Sequence, residues 1–477
     1  MALAAVAAML AVALGQVSRR FLILAVGLVG WCAVGLLIRD LRAALLFLLP
    51  LAVSYNRQYY SFDAVFGDWG YAGLYWVPAD ALLFLILIVS LWRTANRQNK
   101  EPVFNLSGVV LPFFAFICVM ALSAVNSAEP VPAMIETVRL LKLLIILLFL
   151  MSIMTIRNAT ALLLGLAAMI GLQAALGAVQ FVLGAGGAGL SNLSAQSGEM
   201  ARRGTGTLGH PNFYAPFLLT IVPGFVAMAL GMQNSWGRAA AALTAFSGLI
   251  AIVVSQSRMA LAALALSLVF VALHLAIRRI TSPMRVIGGA AVITVLLTLM
   301  ALPIADKIHD RLTGDFGASI SFRADYNNAA MSMWQSHPLL GIGPNRFVAE
   351  LGPYAPEIKY INDQLEEFRT QANARTAAPV HNLYLLVLAE VGAIGSAAFV
   401  VLLAMSGREF WKAGSVTPDR PVGLIFVGVF WGFVGVLIQQ TTDFSFWWDH
   451  HLYLFVILLA LAAHVRSLFA DREGRAA

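Results

Sequence analysis

One apolar run follows another along almost the whole of this sequence, and that repetition limits the fold more than any single motif. Runs near membrane-crossing length lie at 2–17, 21–38, 43–55, 78–92, 108–124, 133–155, 159–184, 211–231, 238–255, 258–278, 286–304, 380–405, 421–440 and 449–468. A bilayer core takes about 20 apolar residues per helix. Lipid offers no partner to free backbone N–H and C=O groups, and the runs are continuous rather than alternating. They therefore read as helices and not as barrel strands. The first three are short and crowded, which suits half-helices or one broken helix, so about 12 spans are expected and about 14 at most. Composition agrees, with 60% of residues hydrophobic and 12% charged, against about 45–50% and about 25% in soluble domains. The expected fold is an all-α polytopic membrane helix bundle, one integral membrane domain over residues 1–477.

The formal net charge of +7 reads as an orientation signal, not as a nucleic-acid footprint, because Arg and Lys gather in cytoplasmic connectors. One such connector holds Arg93, Arg97 and Lys100, another Arg278, Arg279 and Arg285, a third Arg408, Lys412 and Arg420; the tail adds Arg466, Arg472 and Arg475. An even number of runs separates each pair of groups, so all four fall on one side. Around 19–42 the rule is ambiguous, since Arg19 and Arg20 lie across a single run from Arg39 and Arg42. The start of the chain lacks a basic segment before its apolar run, which argues against a cleaved signal peptide. Cys32 and Cys118 both lie in apolar runs, so neither a disulfide framework nor a thiolate metal site is expected.

The connectors left for the outer face are 56–77, 125–132, 185–210, the tight Ser255–Arg258 junction, 441–449 and the long 305–380 insert. A polar connector as long as the last is usually functional. Within it, Ser321 to Ser336 reads as helix, and Glu357 to Arg375 as a helix that either covers a site or only caps the fold. Aromatic residues in 56–77 and in Phe444 to Trp448 read as interfacial belts.

Several basic residues on that side are poorly explained as orientation signals. Glu136, Arg139 and Lys142 share one face of an apolar helix. Two readings stay open for the cations: pairing with Glu136 and reach to the interface, or an anion site. Arg203 precedes a Gly-rich turn ending in His210, Pro211 and Asn212, and taken alone it reads as a solvated loop charge. Arg258 begins a helix directly after the junction, Arg323 lies in the insert, and Arg346 follows the turn Gly341 to Asn345. Converging cations imply an anionic ligand, and guanidinium groups grip phosphate oxygens in pairs. His381 stands where the insert meets an apolar helix, with Asn382 as its cap, and a neutral imidazole there accepts a proton. Taken alone, such a histidine is more often structural. His210 and His337 read as turn residues, and His450 and His451, beside Trp447 and Trp448, as interfacial. Gly392 and Gly395 read as a close approach to another helix.

His381-Asn382, nine residues, then Gly392-x-x-Gly395 resembles the signature of bacterial O-antigen ligases and the related O-antigen polymerases and protein O-oligosaccharyltransferases. The supporting pieces resemble that superfamily in order: Arg203 before Gly206-x-x-Gly209-His210-Pro211-Asn212, then Ser257-Arg258, Arg323, and His337-Pro338-Leu339-Leu340-Gly341-Ile342-Gly343. The resemblance covers residues 130–440. It implies a glycosyltransferase-C-like enzyme of the bacterial inner membrane, transferring a glycan from undecaprenyl diphosphate to a lipid A-core hydroxyl at the periplasmic face. His381 would be the base, and Arg139, Lys142, Arg203, Arg258 and Arg323 would hold the diphosphate or an acceptor phosphate. Asn382, His337, Arg346 and Asn212 are secondary candidates. No cofactor and no metal is expected. With no Walker loop or dinucleotide fingerprint in the chain, the donor must arrive already activated. Other readings are a polymerase, a protein-glycosylating enzyme, or a non-enzymatic flippase of an anionic lipid-linked substrate; the last should show inverted repeats, and none is visible.

Overall fold

The computed structural model describes residues 40–55, 59–60, 75–96, 107–187, 203–289, 291, 317–355, 379–416 and 421–476. The runs at 2–17 and 21–38, most of that at 286–304, Arg202 and the Glu357 to Arg375 segment lie outside them. The protein is an all-α polytopic bundle. Among the described residues, seven helices are long and apolar enough to cross a membrane, and three shorter apolar helices join them.

In chain order the described α-helices begin with α1 (Leu41–Val53), α2 (Pro78–Ala95), α3 (Val110–Val125), α4 (Pro130–Ile153) and α5 (Ile156–Gly187). Next come α6 (Pro211–Leu219), α7 (Val222–Gly231), α8 (Ser235–Val254), α9 (Arg258–Ile277), α10 (Gly317–Ser336) and the short α11 (Leu351–Tyr354). Last are α12 (Leu383–Val416), α13 (Pro421–Gln439) and α14 (Asp449–Ala476). A small antiparallel ribbon, β1 (Tyr59–Tyr60) with β2 (Tyr75–Trp76), leads into α2. The run at 211–231 is split into α6 and α7, with Pro216 inside the first and Pro223 at the start of the second. Proline cannot donate to the helical ladder, so both positions weaken continuity there.

The first half of α14 is apolar all round, as a centrally packed helix should be, and its side chains from Leu452 to Leu461 are buried. It packs on α4 and α12; α7 lies between α8 and α13, and α5 between α1 and α8. The Arg93, Arg278 and Arg408 side chains all come from the C-terminal parts of α2, α9 and α12, away from the helix starts that build the site.

The helix that begins beside His381 is not continuous. At Gly392 the backbone turns to φ 66°, ψ −168°, a region that disfavours residues with a Cβ. Two helical bonds are lost, from Ala393 N to the Ala389 carbonyl and from Ile394 N to the Glu390 carbonyl. The segment Pro338–Gly343 lies in the gap and replaces both. Ile342 N donates to the Ala389 carbonyl (3.0 Å) and Gly343 N to that of Glu390 (2.9 Å). Ala393 N donates to the Pro338 carbonyl (2.9 Å) and Ile394 N to that of Leu339 (3.2 Å). Each of these groups would cost about 1–3 kcal/mol if buried unmade, so the loop and the break need one another. A Cβ at Gly392 would collide with the Leu339 carbonyl, and one at Gly341 with that of Glu390. The two loop glycines also have positive φ. Gly392 thus admits a loop backbone where a neighbouring helix was expected; Gly395 does face the side chain of Val119 on α3. Ser127 Oγ ties the loop to α3 by donating to the Ile342 carbonyl (3.0 Å).

Candidate active site

The Gly-rich turn before α6 is built against α5 by two buried amides that sequence reasoning passed over. Gln180 Oε1 accepts from Thr205 N (2.9 Å) and Gly206 N (2.7 Å), while its Nε2 donates to the Gly206 carbonyl (2.9 Å). One residue on, Gln173 Oε1 accepts from Thr207 N (3.0 Å). Both amides are fully buried. Two glutamines on one face of an otherwise apolar run were the available signal. The turn then meets the Ser255–Arg258 junction: Gly204 N donates to the Val254 carbonyl and Arg203 Nε to that of Ser255, each at 2.8 Å. Arg203 is 8% exposed, not a solvated loop charge. Ser257, the residue before Arg258, donates to Asn212 Oδ1 (3.3 Å), and Asn212 N donates to His210 Nδ1 (3.1 Å). Arg203, His210, Asn212 and Arg258 are therefore parts of one corner, with Arg258 exposed at the first position of α9.

His381 arrives at this corner from α12. Asn382 caps that helix, its Oδ1 accepting from Tyr384 N (3.1 Å) and Leu385 N (3.2 Å). Leu383 N donates to the Asp443 carbonyl (2.9 Å). The imidazole and the Phe444 ring stand perpendicular, with ring centroids 5.5 Å apart. Burial, the positive field of Arg323 on α10 and a hydrogen bond to the Pro379 carbonyl set its protonation, the first two outweighing the third, and the pKa falls to about 4. His210 falls to about 4 as well, through burial and then the charges of Arg203 and His381. The two imidazoles thus share one field. Asp443 rises to about 6 because it is buried, despite donors at Phe444 N and Ser445 N and the nearby charge of Arg323. At neutral pH both histidines are neutral. His381 commits one ring N–H to Pro379, which leaves its other ring nitrogen with a lone pair.

Arg139 and Lys142 are held differently. Arg139 bonds Glu136, Asp449 (3.1 Å) and the Trp447 carbonyl (3.1 Å). Lys142 pairs with Asp80 (3.1 Å) and lies over the Tyr453 ring, 5.5 Å from its centroid. Arg346 is 3% exposed and pairs with Glu129 (2.6 Å) and Glu350 (3.0 Å), pinning the loop to the start of α4. His337 is exposed, within 3.0 Å of Ser336 Oγ, and acts as a turn residue. His450 and His451 are 3% and 2% exposed, packed against Phe217, and so are core residues rather than interfacial ones. The belt expected at Phe444 to Trp448 also turns inward: Phe444 and Phe446 are buried. Phe213 packs on Trp448 at a tilt, with centroids 4.6 Å apart.

No curated protein matches the chain. Residues 240–400 match the family model described as O-antigen ligase. That region contains Arg258, Arg323, the loop that enters the α12 break, and the His381-Asn382 helix start. Over residues 240–400, about a third of its length, the chain is similar to the O-antigen ligase family.

Proposed function

We propose that the protein transfers a glycan from undecaprenyl diphosphate to a sugar hydroxyl of lipid A-core, with His381 as the general base. The observation that supports this most is the state of His381. It is a neutral imidazole with one nitrogen held by the Pro379 carbonyl, in the field of Arg323 and beside the Arg203–His210 corner. In the reaction the acceptor oxygen attacks the anomeric carbon as its proton passes to His381. The bond from that carbon to the diphosphate oxygen breaks, and undecaprenyl diphosphate leaves with the electron pair. A single displacement of this kind inverts the anomeric centre and needs one base.

The leaving diphosphate gains negative charge in the transition state. Arg203, Arg258 and Arg323 are the groups proposed to meet it, since fixed cations act most strongly where charge develops in a site drier than water. A diphosphate bound here also favours protonation of His381, raising its pKa from the value of the empty site just as the base must accept a proton. The cations are proposed to serve in place of a divalent ion. The site is proposed to face the periplasm from the inner membrane.

The test is reconstitution of the purified protein with lipid-diphosphate glycan and lipid A-core in the presence of a chelator. Conversion to glycosylated lipid A-core is expected, and no conversion with active donor and acceptor would end the reading. In cells, deletion is expected to leave rough core with lipid-linked polymer accumulating. Core carrying a single repeat would instead identify a polymerase.

A further inference from the structure

We propose that the cleft beside His381 is a sugar subsite, seating an uncharged hydroxylated ring next to the base. The cleft is concave and opens to solvent, with about 610 Å³ of empty space when that solvent is included; ligand sites are commonly such apolar hollows with a few polar groups. Its wall joins broad aromatic faces, from Tyr75, Phe444, Trp447 and Trp448, to two carboxyl groups, Glu136 and Glu390. Aromatic faces carry partial negative charge and attract the polarised C–H groups on one side of a pyranose. Carboxyl groups are strong hydrogen-bond partners for the hydroxyls around the ring.

The charge of the wall argues against a phosphate. Among the described residues its one cation, Arg139, is already bonded to Glu136 and Asp449, and Glu390 adds a further carboxyl group that accepts from Phe347 N (3.1 Å). A diphosphate would meet more acceptors than free donors here, whereas a neutral polyol would not. The cleft is also in the right place. Pro379 and Phe444 line it, and these are the residues whose carbonyl and ring contact the His381 imidazole. Cations at the Arg203 and Arg323 side and a sugar ring at the Glu390 side would place the scissile bond between them. The inference rests on the transferase reading only for the identity of the ring, which belongs either to the donor glycan or to the acceptor core.

The test uses the full chain in detergent and saturation-transfer NMR with two soluble probes. One is the neutral oligosaccharide released from the lipid donor, the other the deacylated core oligosaccharide. Val348, on the cleft wall and half-buried, is changed to Trp to fill the space; Glu390→Gln keeps the shape and replaces the carboxyl group by an amide. Elution and melting of each variant are checked first, and Glu390→Gln carries the test if Val348→Trp does not fold. Saturation of ring protons is expected for one probe, and which probe binds assigns the subsite to donor or acceptor. Affinity should fall about tenfold or more in Val348→Trp and measurably in Glu390→Gln, with the KM of the same substrate rising in parallel. Binding of neither probe, wild-type binding in the folded variants, or displacement of the probe by inorganic pyrophosphate would overturn the proposal. Sugar binding without any glycan transfer would remove the transferase reading and keep the subsite. Transfer with unchanged KM for both substrates in both variants would do the reverse.

Discussion

Two groups of cations stand at the same end of the bundle, and they are held in different ways. Arg139 and Lys142 sit within a set of carboxylates, Glu136, Asp449 and Asp80, that come from α4, α14 and α2. Arg203 is positioned by the Ser255 carbonyl, a neutral acceptor, and its charge acts on His210; that of Arg323 acts on His381 and Asp443. The difference separates two uses of one residue type. A cation bonded to carboxylates joins helices in a medium where a lone charge is costly. The fields of Arg203 and Arg323 instead add to the burial that holds two imidazoles neutral.

Substitutions that touch one group and spare the other would sharpen or break this contrast. The largest effect is expected at His381: His381→Ala should lower the transfer rate about 10²- to 10⁴-fold, with melting unchanged. Near-normal turnover would remove His381 from the chemistry. Arg139→Ala should act on stability instead, costing about 3–5 kcal/mol because it strands two buried carboxylates. If its melting point matched the wild type while the KM for donor rose, Arg139 would move into the substrate-holding group. Arg203→Ala should cost about 2 kcal/mol, roughly thirtyfold in kcat/KM for the donor, with little change in melting; steady-state kinetics with the lipid donor would check it.

Gly392→Ala tests how the base is positioned. It forces a side chain into a positive-φ site facing the Leu339 carbonyl, for about 1–3 kcal/mol, and should lower kcat as the loop leaves the break. Wild-type melting and turnover would show that the break does not hold the site. The smallest effect is in pH dependence. Because the His381 pKa is lowered to about 4, the base form is present above that value. The acid limb of kcat/KM should thus lie well below pH 6.5, and that of kcat should lie higher, since bound diphosphate favours the imidazolium. Asp443, raised to about 6, titrates in the same window, and Asp443→Asn removes its contribution. A kcat/KM limb at or above pH 6.5 in that variant would contradict the assignment.

Much of this was legible in the sequence because it depends on local chemistry. Apolar runs marked the helices, and the Pro211, Ser257 and Asn382 helix starts marked where the polar groups of the site would gather. What was hidden depends on partners far apart in the chain. Arg139 and Asp449 are separated by 310 positions, so spacing on one helix showed only Glu136. Glycine within a helical pattern has two meanings, close approach or a break, and nothing near Gly392 said that the loop from Pro338 to Gly343 would fill the gap. Gln173 and Gln180 stand in an apolar span with no partner nearby in sequence, and their role appears only when the turn at Thr205 to Thr207 is laid against them. The Phe444 to Trp448 aromatics had the composition of an interfacial belt, yet tertiary packing turned them toward the cleft and His381.

The most direct test is an NMR titration of labelled histidine in the full-length protein, with the His381 signal assigned by comparison with His381→Gln and measured with and without an undecaprenyl diphosphate ligand. The account predicts a pKa near 4 in the free protein and a clear rise when the diphosphate is bound. An ordinary histidine value in the free protein, or no response to the diphosphate, would contradict it.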